Sequence, residues 1–156
     1  MNIKQIQLPD YQLVTGLFNK YRMFYKQPSD TVLAERFIKD RLQNNESRIF
    51  VALADKDGEE IPAGVTQLYP VLSSVSATRN WLLNDLFVED SYRRQGVGEA
   101  LIKAAIDFAR ADQSTYIKLE TAVDNYTAQR LYEALGFKKG ELNNGFHTYK
   151  FNLVKE

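Results

Sequence analysis

A basic, glycine-rich hexapeptide has the residue types and spacing of an anion-binding loop. It follows an apolar run and reads Arg93-Arg94-Gln95-Gly96-Val97-Gly98. Apolar periodicity after the loop predicts a helix, and the first N–H groups of a helix have no partners within it. Those donors and the helix dipole favour a phosphate, and glycines let the phosphate touch the backbone. The loop therefore predicts a phosphate or pyrophosphate site at a helix N-terminus.

Two other nucleotide-binding motifs fit the loop less well. A dinucleotide-binding loop has a third glycine, at the position that Leu101 occupies in this chain. Glu120 does lie about where the ribose-binding acid of that motif is expected. A P-loop places Lys and then Ser or Thr after a glycine, and no glycine in this region is followed in that way. From these six residues alone, an ordinary strand–helix turn is the remaining alternative.

Length and composition restrict the classes of function. The chain has 156 residues, enough for one domain whose core needs no disulfide or metal. Because 20 basic residues balance 20 acidic ones, no overall charge favours a nucleic acid or a membrane surface. The absence of cysteine and the single histidine argue against disulfides, thiolate catalysis and a histidine-rich metal site. With no signal peptide or membrane-spanning apolar run, we expect a cytoplasmic protein.

Periodicity and turn signals predict the elements that position the loop. Helices place apolar residues at every third or fourth position, and strands place them at alternate positions. We expect Gly64 to interrupt one strand and Pro70 to end it, because proline cannot donate to a sheet. The predicted strands are Ile3–Gln7, Ile49–Ala54, Ile61–Val71, Leu82–Val88, Tyr116–Thr121 and Phe146–Leu153, and the predicted helices are Tyr11–Lys26, Thr31–Leu42, one from the loop to Arg110 and a short one between Asn125 and Gly136.

The order of these elements predicts an α/β fold of the α+β kind. Early strands with short connections pair antiparallel, whereas the helix after the glycine loop makes its flanking strands parallel. The chain contains no internal repeat, linker or low-complexity segment. We therefore predict a single domain over residues 1–156, with a mixed, mostly antiparallel sheet of six to seven strands and about four helices.

The loop and a later segment together resemble the GCN5-related N-acetyltransferase (GNAT) family. The loop matches the family's Arg/Gln-x-x-Gly-x-Gly/Ala motif, which binds the pyrophosphate of acetyl-CoA. The later segment, Asn-x-x-Ala-x-x-Leu-Tyr-x-x-x-Gly-Phe from Asn125 to Phe137, matches a second family motif. The run Leu83-Asn84-Asp85-Leu86 is most similar to the small histone-and-polyamine acetyltransferase branch. The resemblance implies the GNAT fold and transfer of acetyl from acetyl-CoA to a primary amine.

The resemblance also implies where the cosubstrate lies. In the family, two parallel strands splay apart around the pantetheine arm, and here they would be Leu82–Val88 and Tyr116–Thr121. Phe87 and Val88 would offer backbone groups to the arm and the thioester, and Asn125 would reach the arm from the other side. The residues that would hold the pyrophosphate are Arg93, Arg94, Gln95, Gly96, Val97 and Gly98.

Direct attack by an amine needs a proton donor for the thiolate and a route for the amine's own proton. By resemblance, Tyr132 would protonate the thiolate, whose ordinary pKa is about 8.5. Polyamine acetyltransferases often carry Leu-Glu-Asp where this chain has Leu83-Asn84-Asp85. The base is therefore left open between Asp85 and a water relayed through Asn84. Because side chains alternate along a strand, we expect only one of the two to face the cleft.

An aromatic segment around Tyr21 and Tyr25, together with Trp81, is the predicted substrate wall. Aromatic faces hold an ammonium with about 0.5–2 kcal/mol, which suits a substrate that is cationic before it reacts. We therefore predict a small amine or polyamine as the acceptor. The alternatives are a protein or peptide amine, and a non-catalytic acyl-CoA-binding module. A homodimer through exposed sheet edges is a further hypothesis.

Overall fold

The computed structural model describes residues 1–143 and 145–154 and contains one seven-stranded sheet flanked by helices. Residue 144 and residues 155–156 of the predicted domain lie outside the described residues. The strands are β1 (Asn2–Gln5), β2 (Arg48–Lys56), β3 (Glu59–Ser73), β4 (Thr78–Val88), β5 (Tyr116–Ala122), β6 (Lys138–Asn143) and β7 (Phe146–Asn152), and the α-helices are α1 (Gln12–Phe24), α2 (Thr31–Gln43), α3 (Val97–Ala111) and α4 (Tyr126–Ala134).

The sheet order is β1-β2-β3-β4-β5-β7-β6, and β4 with β5 is the parallel pair among antiparallel neighbours. The predicted fold class, a mixed and mostly antiparallel sheet with helices, is therefore confirmed. None of the helices in the described part of the chain has the length and apolar character needed to cross a membrane.

Helices cover the sheet on both faces, because alternate side chains of a strand enter different cores. On β2, Val51 belongs to the core under α1 and α2, whereas its neighbour Phe50 belongs to the core under α3 and α4. Val14 and Ile38 contribute to the first core, and Leu101 contributes to the second. Full burial of such a side chain stabilises a fold by about 1.5–3 kcal/mol. The two cores hold the helices, and with them the glycine loop, against the sheet.

The strand β3 runs further than its sequence predicts. Pro70 does not end it, because β2 pairs with β3 only as far as Leu68 and the edge beyond tolerates a proline. Gly64 does not interrupt it either. A Cβ on Gly64 would lie 2.9 Å from the Cγ1 of Val97, so this glycine allows α3 to approach the sheet.

The edge strand β6 was not predicted, because Lys138, Lys139 and Gly140 show no alternation of apolar residues. It pairs with β7, which lies between β5 and β6. Charged residues are common on edge strands, where they discourage pairing with other chains. Tertiary pairing, and not local hydrophobicity, therefore forms this strand.

The central feature of the sheet is the separation of β4 from β5. The two strands pair only at Trp81–Ile117 and Leu82–Lys118, and beyond these positions the described residues form no further pair between them. On its other side β4 has a β-bulge, since Gln67 opposes Asp85 while Leu68 opposes Leu83. Asn84 is the extra residue, and a bulge of this kind bends its strand. The splayed strands expected from the family resemblance are therefore present.

Trp81 faces away from the gap between β4 and β5. Its side chain is fully buried, and its ring packs against Phe108 of α3 with centroids 5.2 Å apart. The indole Nε1 donates a hydrogen bond to Asp112 at 2.9 Å. The predicted place of Trp81 in the substrate wall is therefore corrected, because its side chain is fully buried against α3 at the level where β4 and β5 still pair.

We expect the Asp112→Ala substitution to lower the free energy of unfolding by about 1–3 kcal/mol, because the buried indole N–H of Trp81 loses its partner. Arg79, which donates two hydrogen bonds to Asp112, would also lose them. Denaturant unfolding measures the change. Asp107→Ala is the matched control. Asp107 lies on α3, just before Asp112, with a side chain that is 79% exposed, so its substitution should lower the free energy of unfolding by less than about 0.5 kcal/mol.

The same interaction predicts acid sensitivity. Burial alone would raise the pKa of Asp112, but hydrogen bonds from Arg79 and Trp81 outweigh burial and hold that pKa below its ordinary value. The carboxylate therefore stabilises the fold above its unfolded pKa of about 3.9, and this contribution is lost as the pH falls through the lower folded-state pKa. An Asp112→Ala protein that matches the wild type in stability at pH 7 would contradict both statements.

Candidate active site

Two cavities adjoin where β4 and β5 separate. The loop cavity, of about 550 Å³, is lined by the glycine loop, the end of β4 and the first part of α4. The inter-strand cavity, of about 340 Å³, lies among β4, β5, α4 and the C-terminal end of α1. Tyr21, Phe24, Tyr25 and Leu86 line both cavities, so the two share a wall. The predicted substrate residues Tyr21 and Tyr25 therefore lie at the junction between the cavities.

The start of α3 has the geometry of an anion cradle. Gly96 precedes the helix with a φ of 80°, and no side chain caps α3, whose first turn lies wholly within the described residues. A Cβ on Gly96 would meet no atom within 4 Å, and one on Gly98 would meet only the Cγ2 of Val88, at 3.9 Å. Free N–H donors beside open space fit the pyrophosphate of a nucleotide cosubstrate.

The two arginines of the loop differ in their contacts. The Arg93 Nε donates to the carbonyl of Val88 at 3.1 Å, and its Nη1 lies 3.0 Å from a carboxylate oxygen of Asp90. Arg93 therefore braces the end of β4. Arg94, with a φ of 62°, lines the loop cavity and is exposed. Its guanidinium is available to a phosphate.

The predicted cosubstrate-binding residues line one of the two cavities, with the exception of Gln95. Gln95 lies outside both cavity walls, and its Nε2 donates to the carbonyl of Ser91 at 3.1 Å. Asn125 lines the inter-strand cavity and also caps α4, because its Oδ1 accepts from the Ala128 N–H at 3.2 Å. The predicted residues that line the loop cavity are Phe87, Val88, Arg93, Arg94, Gly96, Val97 and Gly98.

Tyr132 points from α4 into the inter-strand cavity. Its side chain is 8% exposed, and its ring packs beside Phe137 and Tyr149. Burial, with a smaller contribution from Tyr25, raises the pKa of Tyr132 to about 12. The phenol therefore keeps its proton at neutral pH, which is the state that a proton donor to a thiolate needs.

Of Asn84 and Asp85, only Asn84 faces the cleft, as expected for two neighbouring residues of a strand, although their side chains are in contact. The bulge breaks the alternation of β4, and the Asn84 Nδ2 donates to the Asp85 Oδ1 at 2.9 Å. Asn84 is exposed and lines the inter-strand cavity. Asp85 is 5% exposed, accepts a hydrogen bond from Gln67 and lines neither cavity.

Tyr21 lies between Asp85 and the cleft. Its hydroxyl donates to the carbonyl of Asn84 at 3.4 Å. Burial, together with the nearby charge of Asp85, raises the pKa of Tyr21 well above its ordinary value. Because Tyr21 covers the carboxylate, Asp85 is poorly placed to receive the amine's proton.

A carboxylate that sequence reasoning did not assign to catalysis or substrate binding lies in the inter-strand cavity. Glu120 is exposed on β5 and is the charged side chain among the described residues that line this cavity. The sequence places it between the buried residues Leu119 and Thr121. That alternation on the second splayed strand is the signal that would have found it, once the first strand was found to lack a usable base.

The gap between β4 and β5 gives access from both faces of the sheet. Tyr132 belongs to the core under α3 and α4, whereas Tyr21 packs against the core under α1 and α2, and both line the inter-strand cavity. An acyl donor bound along the gap can therefore release its leaving group toward α4, while the molecule that receives the acyl group approaches from the side of α1. An open helix N-terminus, a split parallel pair and a protonated tyrosine are the features that the family resemblance predicts for an acyl-transfer enzyme using a nucleotide-linked thioester.

Comparison with known proteins identifies the family. The chain matches the model of the acetyltransferase (GNAT) family over residues 11–137. It is 43% identical over 153 residues to the uncharacterized N-acetyltransferase YhfO of Bacillus subtilis (strain 168), which covers 98% of each chain. The chain belongs to the GNAT family of acetyltransferases, and it is an acetyl-CoA-dependent enzyme. The alternative of a non-catalytic acyl-CoA-binding module is thereby removed.

Solved structures agree with this assignment. A crystal structure of a probable acetyltransferase superposes with a TM-score of 0.84 at 39% identity, over 92% of this chain and 95% of that one. The Arabidopsis thaliana protein NAA60, solved in complex with acetyl-CoA, superposes with a TM-score of 0.75 over 97% of each chain. At 17% identity the second match shows the shared fold alone.

Proposed function

We propose that the acceptor is the primary amine of a small molecule, bound in the inter-strand cavity. The composition of that cavity supports the proposal, since aromatic side chains and one carboxylate line it. Tyr21, Phe24, Tyr25 and Phe146 supply the aromatic faces, and Glu120 supplies the negative charge. Both features attract an alkylammonium, which is the form of an amine before it reacts.

Each residue of the cleft then has a defined task. Acetyl-CoA supplies the activated acetyl group as a thioester. The N-terminus of α3 and Arg94 bind its pyrophosphate, and the separated strands leave space for its arm. Glu120 holds the ammonium and, through water, receives the proton that the amine must lose. Tyr132 donates a proton to the sulfur that leaves, on the opposite side of the gap.

The Glu120→Gln substitution tests the acceptor site. We expect the amine KM to rise about tenfold, because a charged hydrogen bond to the ammonium is lost, while the acetyl-CoA KM stays unchanged. Steady-state kinetics with each substrate varied in turn measures both constants. Glu59→Gln, an exposed strand glutamate at a distant hairpin, is the control and should match the wild type. An unchanged amine KM in the Glu120 variant would contradict the proposal.

A peptide or protein amine is the second candidate acceptor. The exposed aromatic side chains beside the cavity favour it, since Phe24 is 63% exposed, Tyr25 60% and Phe146 47%. A free-thiol release assay with acetyl-CoA separates the two candidates. The panel pairs small primary amines with lysine-containing and free-N-terminal peptides. Turnover confined to peptides would replace the small-molecule proposal.

We further propose a cytoplasmic homodimer that uses an edge of the sheet. β1 and β6 form the two edges, and an unpaired strand edge can pair with a second copy. Light scattering after size-exclusion chromatography tests the dimer, and the mass of a single chain would contradict it.

A further inference from the structure

Three lysines form a row on one face of the sheet, close to the inter-strand cavity. Lys118 on β5 lies opposite Lys150 on β7, and Lys150 lies opposite Lys138 on β6. Residues directly opposite in antiparallel strands point to the same face, with Cβ atoms about 5 Å apart. We call these residues the lysine row. It brings three positive charges together from parts of the chain that are distant in sequence.

The lysine row lies on the same face of the sheet as α1 and α2, but on strands that the core under these two helices does not include among the described residues. On β5, Lys118 and Glu120 alternate with Ile117 and Leu119, which are buried in the core with α3 and α4. The row therefore lies on the face of α1 and α2. The core under those two helices takes its strand residues from β2, β3 and β4, among the residues that the structure describes. Lys138 and Lys150 are exposed, and Lys118 is half-buried.

The three like charges repel one another across the neighbouring strands. Like charges directly opposite on neighbouring strands destabilise a sheet. The ammonium of Lys150 lies 5.0 Å from the ring centroid of Tyr116. Among the side chains that the structure describes, which leave out residues 141–144 and 155–156, no carboxylate forms an ion pair with any of the three lysines. An anionic ligand would relieve this repulsion.

The lysine row has a fixed relation to the reaction site. Glu120 follows Lys118 by two positions on the same strand and the same face, a separation of about 7 Å. Glu120 lines the inter-strand cavity. Phe146 also lines it and lies opposite Ala122, which is two residues after Glu120 on β5. This face of the sheet therefore presents the negative charge of Glu120 at the inter-strand cavity and the positive charges of the lysine row about 7 Å from it.

We propose that the acceptor carries an anionic group, a carboxylate or a phosphate, about 7–10 Å from its reacting amine. The amine lies at Glu120 and the anion lies on the lysine row. This inference rests on the proposed function and narrows its substrate class. It disfavours a polyamine, because the second ammonium of a polyamine would meet the three lysines.

A matched series of amines tests the inference on the intact protein. The three acceptors are ε-aminocaproate, its uncharged amide and hexamethylenediamine, which share one chain length and differ in the charge at the far end. Free-thiol release from acetyl-CoA gives kcat/KM for each. We expect the acid to exceed the amide about tenfold and the diamine by more, and we expect added salt to reduce both ratios.

Substitutions in the lysine row assign the preference to these residues. Lys150→Gln should bring kcat/KM for the acid to within about threefold of that for the amide, and Lys150→Glu should make the diamine the better acceptor. Lys139→Gln is the matched control. Lys139 lines neither cavity and lies opposite Tyr149 on the other face of the sheet, where its ammonium is 3.8 Å from Glu133. Its substitution should therefore leave the relative kcat/KM values of the three amines unchanged.

The outcomes separate the two proposals. If none of the three amines releases thiol above the rate without acceptor, the small-molecule function fails and the inference fails with it. If the amines are acetylated but the diamine equals or exceeds the acid, the inference alone is overturned. An acid preference that survives both Lys150 substitutions also overturns it, because the anion then binds elsewhere.

Discussion

Tyr132→Phe is expected to lower kcat by about 10²–10⁴-fold while acetyl-CoA and the amine still bind, because a positioned proton donor contributes that much to a transfer step. The substitution removes one hydroxyl from a side chain that is 8% exposed and packed between Phe137 and Tyr149. The ring contacts remain, so we expect the fold to remain as well. Single-turnover thiol release measures the chemical step without product release.

The matched control for this prediction is Tyr126→Phe. Tyr126 lies on the same helix, is 64% exposed and lines neither cavity, so its variant should keep wild-type turnover. The pH profile adds a second reading. Because the pKa of Tyr132 is raised to about 12, the phenol loses its proton only as the pH rises through that value. The wild-type kcat should therefore show no descending limb from Tyr132 between pH 7 and about 10. Wild-type chemistry in the Phe variant would remove Tyr132 from the mechanism.

Gly98→Val is expected to weaken acetyl-CoA binding by about 100-fold or more, because the side chain would fill the proposed pyrophosphate site at the start of α3 and hydrogen bonds to a charged group would be lost. Gly98 is a better position for this test than Gly96. The φ of Gly96 is 80°, so any side chain there strains the backbone, whereas a Cβ on Gly98 makes ordinary contact with Val88 at 3.9 Å.

Calorimetric titration with acetyl-CoA measures this loss. Gly16→Val is the control, because Gly16 also lies in a helix and a Cβ there would meet no atom within 4 Å. Thermal unfolding of both variants shows whether the fold is kept. A Gly98→Val protein that is folded and binds acetyl-CoA with wild-type affinity would place the pyrophosphate elsewhere.

The positions of the glycine loop and of the α4 residues follow from short-range signals. The period of apolar residues predicts α3, and the left-handed φ of Gly96 is one that glycine adopts without strain. Asn125 caps α4 as a side-chain acceptor should, and Tyr132 lies on that helix. These features depend on residues within a few positions of each other, so the sequence determined them without reference to the sheet.

The base and the acceptor surface depend on tertiary structure. A bulge at Asn84 is set by the register between β3 and β4, which no pattern within β4 reveals, and it leaves Asp85 behind Tyr21. The pairing of β4 with β5 likewise places Trp81 in the core under α3. Strand register comes from contacts between distant segments, and a shift of one residue changes the face of every side chain that follows.

The lysine row is the clearest example of a surface that the sequence alone does not reveal. Lys118, Lys138 and Lys150 are ordinary surface lysines in the sequence, and Glu120 was considered there only as a ribose-binding acid. They become one surface because β7 lies between β5 and β6, which brings the three strands side by side with their lysines opposite each other. Local periodicity thus predicted a phosphate site at the start of α3. Long-range strand pairing decided which charges lie together beside the inter-strand cavity, because only pairing sets the distance between residues that are far apart in the sequence.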